Sequence, residues 1–183
     1  MTGLRLAFWL VLAAVQLGVP GWMIVGEERV LQNGRLLKLQ TRPVDPADLF
    51  RGRYVALGFT IEQVPREFAV GVFDPEETAY LALREGADGF AEPVALTKDK
   101  PAGNLVLEVK VTFVSDVTVG VELPFNRYYM DENAAPAAEI AYRQQAGNEA
   151  NTWVTVRVLD GRAVIEELYI SGKPVREFLH ESR

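Results

Sequence analysis

Three carboxylates near the middle of the chain, Asp131, Glu132 and Glu139, are the residues best suited to acid–base chemistry. A pair of carboxyl groups cleaves a glycosidic bond only when held about 5–9 Å apart, and no spacing in this sequence fixes such a pair. The chain has one histidine, His180, and no cysteine. This composition excludes disulfides and thiol nucleophiles and disfavours zinc and serine–histidine hydrolysis, so neither a cofactor nor a metal site is expected.

A cation and two aromatic rings stand just before these carboxylates, at Arg127, Tyr128 and Tyr129. Aromatic and arginine side chains are enriched in binding surfaces for proteins and sugars, although such a run is also typical of a strand edge that lies half in the core. The net charge of −6 argues against a nucleic-acid partner.

The acidic run at Asp74, Glu76 and Glu77 has the oxygen ligands that calcium prefers. It lacks the regular spacing of a calcium-binding loop. A capped turn at the start of a strand is therefore the favoured interpretation.

Alternating apolar and polar residues predict that short strands position these groups. Asp160-Gly161 separates two alternating runs and predicts a tight hairpin turn, and Ser115-Asp116 is a second turn candidate. An alanine-rich segment with Pro136 in its first turn predicts one short helix. The fold class is therefore mainly β, an antiparallel barrel or sandwich with one short helix after an N-terminal transmembrane helix. The predicted strands cover residues 35–41, 54–61, 78–84, 89–97, 105–113, 117–123, 153–159 and 162–170, and the predicted helix covers residues 134–145.

The N-terminal segment carries no charged residue from Leu6 to Val25, and a helix of this length covers the roughly 30 Å of a bilayer core. Trp9 and Trp22 lie near its two ends, where indole rings favour the headgroup layer. A cleaved signal peptide and a buried core helix are the alternatives. The expected organisation is an anchor at residues 1–26, a stalk at 27–33, a β-rich domain at 34–176 and a tail at 177–183. The short N-terminus favours an extracytoplasmic domain.

The segment around Gly52, Tyr54 and Leu57 resembles the signature of the GDYXXLXY family of bacterial envelope proteins. Arg53 stands where the signature has aspartate, and Phe59 where it has the last tyrosine. The resemblance covers nearly the whole chain, from the apolar helix to the closing hairpin. It implies a single-pass protein of the bacterial inner membrane without an established activity. Some relatives occur with a multi-spanning membrane protein.

The leading hypothesis is a non-catalytic accessory subunit that binds another membrane or envelope protein through a face near Tyr54 or near Tyr128 and Tyr129. The anchor itself could pack on partner helices through Gly18 and Gly21. Two alternatives remain open: an envelope enzyme that uses carboxylates on a glycan, and a sensor with a small-ligand pocket in the β-fold.

Overall fold

The computed structural model describes residues 2–42, 54–103, 105–146 and 151–181. Its first element, helix α1 (Thr2–Asn33), includes a segment long and apolar enough to cross a membrane. The most apolar window of this segment is 0% buried against the rest of the protein. The alternative of a buried core helix is therefore wrong.

Twelve strands are present in the described part of the chain. They are β1 (Arg35–Arg42), β2 (Tyr54–Ala56), β3 (Gly58–Phe59), β4 (Gln63–Pro65), β5 (Thr78–Glu85), β6 (Ala91–Thr97), β7 (Val106–Val114), β8 (Thr118–Glu122), β9 (Arg127–Tyr129), β10 (Thr152–Leu159), β11 (Arg162–Ile170) and β12 (Lys173–Pro174). They form two five-stranded sheets, ordered β12-β11-β10-β1-β3 and β4-β8-β7-β5-β6, and a two-stranded β2-β9 ladder. The ladders are antiparallel and curve into a nearly closed barrel, which confirms the predicted mainly β class.

Both predicted hairpin turns are confirmed. Asp160 and Gly161 have φ angles of 52° and 89° between β10 and β11, as a type I′ turn requires. At the β7–β8 turn, the Ser115 hydroxyl donates to the Thr118 carbonyl over 2.9 Å and accepts from the Thr118 amide over 3.0 Å. Backbone preference therefore shapes the first turn, and a side-chain hydroxyl shapes the second.

Two short helices pack on the strands. The predicted helix is α2 (Ala135–Gln145), which buries Ala135, Ala138 and Tyr142 and contacts β2. A second helix, α3 (Val175–Glu181), was not predicted, because seven residues give little helical periodicity. It packs on β11, and together the two helices cover one side of the barrel.

The segment predicted as one strand at residues 54–61 divides into β2, β3 and a 3-10 turn at Thr60–Glu62. The chain leaves β9 after Ala56 and pairs with β1 at Gly58 and Phe59. The buried Glu62 carboxylate holds this change of partner, since it accepts from the Phe59 amide over 3.1 Å and pairs with Arg42 at 3.0 Å.

The C-terminal end of α1 packs against the β10–β11 hairpin, in the half of the hairpin that lies nearer its turn. Val30 is 2% exposed, and the Gly34 amide donates to the Val30 carbonyl over 2.8 Å. A β-carbon on Gly34 would stand 2.4 Å from that carbonyl oxygen, 2.9 Å from the Arg157 β-carbon and 3.0 Å from the Val158 nitrogen. We call these four residues the joint. Helix α1 continues through residues 27–33, the segment predicted as the stalk, and Val30 in this segment is buried against the domain.

Candidate functional site

The signature strand and the later aromatic segment meet in one ladder. Tyr54 lies opposite Tyr129, and Val55 lies opposite Tyr128. The Leu57 amide extends the ladder by donating to the Asn126 carbonyl over 2.9 Å. Gly52 and Arg53 lie outside the described residues. Two segments about 70 residues apart in the sequence, each predicted separately as a binding surface, therefore form a single structure.

The outward side of this ladder carries an exposed cluster of two rings and a cation. The Tyr54 and Tyr129 rings are 5.7 Å apart and edge-to-face, at 62°. The Arg127 guanidinium lies 4.9 Å from the centre of the Tyr54 ring, and a hydrogen bond to Tyr129 raises the pKa of Arg127. Tyr129 is 65% exposed. We call Tyr54, Arg127 and Tyr129 the aromatic face.

Leu57 and Tyr128, which were predicted with this surface, lie beneath it. Successive side chains alternate across a strand, so Tyr128 points inward where its neighbours point out. Its hydroxyl donates to Glu167 Oε1 over 2.6 Å, and it is 7% exposed. Burial, and then the adjacent Glu167 carboxylate, raise the pKa of Tyr128 well above its ordinary range. Tyr128 thus ties β9 to β11 and supports the aromatic face from below.

Two open cavities share Arg176. One, of about 810 Å³, includes Arg127 and Tyr129 of the aromatic face together with Phe125, and it reaches Glu27 in the last two turns of α1. The other, of about 850 Å³, lies between α2 and α3. Its walls are mostly apolar, from Met130, Ala134, Ala137, Ile140, Ala141, Phe178 and Leu179, with Asp131, Gln144 and His180 among its polar residues. The first cavity therefore adjoins the aromatic face, and Arg176 lines both cavities.

The carboxylates considered for catalysis have local roles. Asp131 accepts from the Asn133 amide over 2.9 Å, in the turn that precedes α2. Glu139 pairs with Arg143 one helical turn later, at 2.6 Å. Exposed ion pairs along a helix are ordinary surface features. Asp131 and Glu139 each therefore interact with a residue close by in the chain.

The acidic run at Asp74–Glu77 is the capped turn that was favoured. Glu77 accepts from the Asp74 amide over 3.1 Å, and its bond to Lys98 at 2.7 Å lowers the pKa of Glu77. Glu76 pairs with Lys110. Across the described ranges, no three His, Asp or Glu side chains converge on a position that could hold a metal ion.

The family model of the GDYXXLXY protein matches residues 16–168, most of the chain. The chain belongs to the GDYXXLXY family. A search of curated proteins returns no match, and neither does a search of solved structures.

One departure from the GDYXXLXY signature has a structural reason. Phe59, at the place of the last tyrosine, is fully buried and packs edge-to-face on Phe125 at 5.5 Å. A hydroxyl in this environment would need a hydrogen-bond partner, and phenylalanine needs none. The motif segment therefore places Phe59 in the core and Tyr54 toward solvent.

Glu167 and Arg176 belong to the site but were missed from the sequence. Both interact with the Tyr128 hydroxyl, Glu167 from β11 and Arg176 from α3. Nothing local marks them, because they are charged residues within a strand and a short helix. A hydroxyl-bearing ring at a buried strand position does signal that some distant polar partner must exist.

Proposed function

We propose that this GDYXXLXY-family protein is a membrane-anchored, non-catalytic accessory subunit. Helix α1 spans the bacterial inner membrane, and the β-domain lies on the extracytoplasmic side. The domain binds another membrane or envelope protein, with a multi-spanning membrane protein as the expected partner. The observation that carries this proposal is the aromatic face, formed where the family signature pairs with β9.

The chemistry of the aromatic face fits protein recognition. Tyrosine and arginine are enriched among the residues that contribute most to binding between proteins. The edge-to-face rings and the stacked guanidinium hold one another in place, which reduces the side-chain entropy lost on binding. The underlying Tyr128–Glu167 bond fixes the strand that carries two of the three residues.

The position of the face also supports a membrane-bound partner. The cavity that contains Arg127 and Tyr129 also contains Glu27, which lies two residues beyond the apolar run of α1. A protein that binds in this groove would contact the domain close to the point where α1 leaves the bilayer. Partner helices could then continue along α1 itself.

The test is purification of the native protein from its own membranes in mild detergent, with mass spectrometry of stoichiometric companions. The same purification is repeated with R127A/Y129A and with V117A, which truncates an exposed apolar residue on the β7–β8 turn. We expect one defined partner with the wild type and V117A, and its loss with R127A/Y129A. Retention by R127A/Y129A would remove the aromatic face from the proposal, and a wild-type protein that migrates alone would overturn the stable-subunit function.

A small-ligand sensor is the second candidate, supported by the mostly apolar cavity of about 850 Å³ between α2 and α3. Ala137 lines this cavity and is exposed, so A137W would fill it without disturbing the core. We expect native mass spectrometry of the detergent-purified wild type to show a retained small molecule that A137W lacks. An identical mass for both proteins would contradict the sensor hypothesis.

A further inference from the structure

The tip of the β10–β11 hairpin lies beside the last apolar turns of α1. A cavity of about 220 Å³ joins Trp22, Gly26 and Arg29 of the helix to Leu159, Asp160 and Arg162 of the hairpin. The Arg162 guanidinium pairs with Glu27 at 2.5 Å, and a β-carbon on Gly26 would stand 3.2 Å from it. The helix and the hairpin are therefore neighbours below the joint as well as at it.

The hairpin runs alongside the helix toward the membrane end of α1. Gly34 contacts Arg157 and Val158, and the Arg162 guanidinium reaches Gly26. From Asn33 back to Gly26 the helix descends about 10 Å at 1.5 Å per residue. The Arg162 side chain next to the hairpin turn thus reaches the level of Gly26, below the end of the helix.

This level coincides with the headgroup layer if α1 spans the bilayer, and the inference rests on that part of the proposed function. The apolar run ends at Val25, and Glu27 is the first charge beyond it. The headgroup region on each side of the hydrocarbon core is about 5–8 Å thick. Gly26 is the first residue beyond that run, so a hairpin tip beside Gly26 lies within that layer.

The side chains at this level fit a phosphate group. Lys100 donates to the Asp160 backbone carbonyl over 3.0 Å, so its charge is not neutralised by that contact. Arg29 is exposed on the helix, and Arg162 shares its charge with Glu27. Guanidinium and ammonium groups are strong phosphate donors, and an indole beside them suits the membrane interface.

We propose that the hairpin tip is a second membrane contact, in which Arg29, Lys100 and Arg162 bind the phosphates of phospholipid headgroups. The domain then lies on the bilayer in one orientation, held by the joint and by the tip. The aromatic face is consequently presented at a fixed height and angle to a neighbouring membrane protein.

The absence of cysteine from the chain allows single spin labels at chosen sites in the full-length protein. D160C labels the tip and keeps all three cations, and L159C, at a residue that lines the same cavity, is a second tip variant in case D160C does not fold. T60C is the matched distal control, because Thr60 is exposed and follows β3. Phe59 of β3 pairs with Thr41 near the far end of β1, about 20 Å along the strand from Arg35. L17C reports on the middle of α1.

The labelled proteins are placed in vesicles of phosphatidylcholine with phosphatidylglycerol, and collision with oxygen and with a water-soluble nickel chelate is measured. We expect the tip label to be several-fold less accessible to the chelate than the label at Thr60, and the Leu17 label to be accessible mainly to oxygen. Equal chelate accessibility at the tip and at Thr60 would overturn the second contact. A Leu17 label outside the hydrocarbon would instead overturn the anchor, so the two failures are distinguishable.

The phosphate contribution is tested by adding R29Q/K100Q to the D160C protein. We expect chelate accessibility at the tip to rise, whereas R84Q/R143Q, which removes two exposed cations elsewhere, leaves it unchanged. An unchanged tip signal with R29Q/K100Q would overturn phosphate binding.

Discussion

The joint and the aromatic face differ in how closely their residues are packed. At the joint, Gly34 lies against backbone and side-chain atoms with no room for one more carbon. On the aromatic face, Tyr129 keeps most of its surface in water, although its neighbour Tyr128 is buried and bonded. One region is filled by the chain itself, and the other leaves large contact residues exposed.

The joint therefore fixes the domain relative to α1, whereas the aromatic face offers a surface for binding. Close packing at the joint fixes the angle between α1 and the domain, since interiors of native density resist deformation. The aromatic face depends on a three-residue ladder and keeps its outer side open. The predictions below test whether the two regions differ in stability in the way that their packing implies.

The largest expected effect is that of G34A. Its β-carbon meets backbone atoms that cannot turn aside, so we expect the domain to lose about 3 kcal/mol of unfolding free energy. Urea unfolding of the full chain in detergent measures the loss, followed by tryptophan fluorescence in a W9F/W22F background so that Trp153 alone reports on the domain. The matched control is G18A, where no atom lies within 4 Å of the added carbon. Equal stability of the two variants would contradict a tightly packed joint.

Y128F comes next, because it removes a buried hydroxyl that donates to a carboxylate. We expect a loss of about 1.5–2 kcal/mol, in the range for a hydrogen bond to a charged group. Y129F removes the same atom from the exposed neighbour and should change the unfolding free energy by less than about 0.5 kcal/mol. Both losses of unfolding free energy are measured by the same urea transitions. A similar loss for Y128F and Y129F would contradict the assignment of Tyr128 to the buried side of the ladder and Tyr129 to the exposed side.

Alkaline pH provides a third test. Folding raises the pKa of Tyr128 above its ordinary value of 10.0, and burial also raises that of Tyr142. The stabilisation that the protonated Tyr128 hydroxyl provides is therefore complete at pH values below the pKa of this group in the unfolded chain. It is lost as the pH rises above that pKa. We expect the advantage of wild type over Y128F to be constant up to about pH 9 and to narrow steadily as the pH rises past 10.0. A constant gap in urea midpoints would contradict a buried, protonated Tyr128.

The smallest effect is expected at the Glu27–Arg162 pair below the joint. Both side chains are at least half exposed, so a double-mutant cycle of E27Q and R162Q should give a coupling of only about 0.2–1 kcal/mol. A coupling above this range would mean that the joint depends on charge more than on packing. The cycle needs four urea transitions at one ionic strength.

Most of the strands could be predicted because their alternation and turns are local. Asp160-Gly161 predicts its hairpin by backbone preference alone. Alternating apolar and polar residues predict the β7–β8 hairpin equally clearly. By contrast, β9 and α3 are too short to give a pattern. The break after Ala56 depends on which neighbouring strand is available, a choice that no residue at 54–61 encodes.

The site was predictable only in part. Tyr54, Arg127 and Tyr129 were identified by residue type, but their meeting in one ladder was not. Glu167 and Arg176 carry no local signal, since a partner that is distant in sequence becomes a neighbour only through the sheet and helix that hold it.

The sequence by itself determined the apolar helix, the strand class, the hairpin turns and the family signature, because each follows from local periodicity, backbone preference or a short motif. Tertiary structure alone decided which tyrosine faces water, that Gly34 meets the hairpin, and that Arg162 of the hairpin reaches Gly26. These outcomes depend on contacts between segments far apart in the chain, and contacts of that kind are set by the packing of the whole domain.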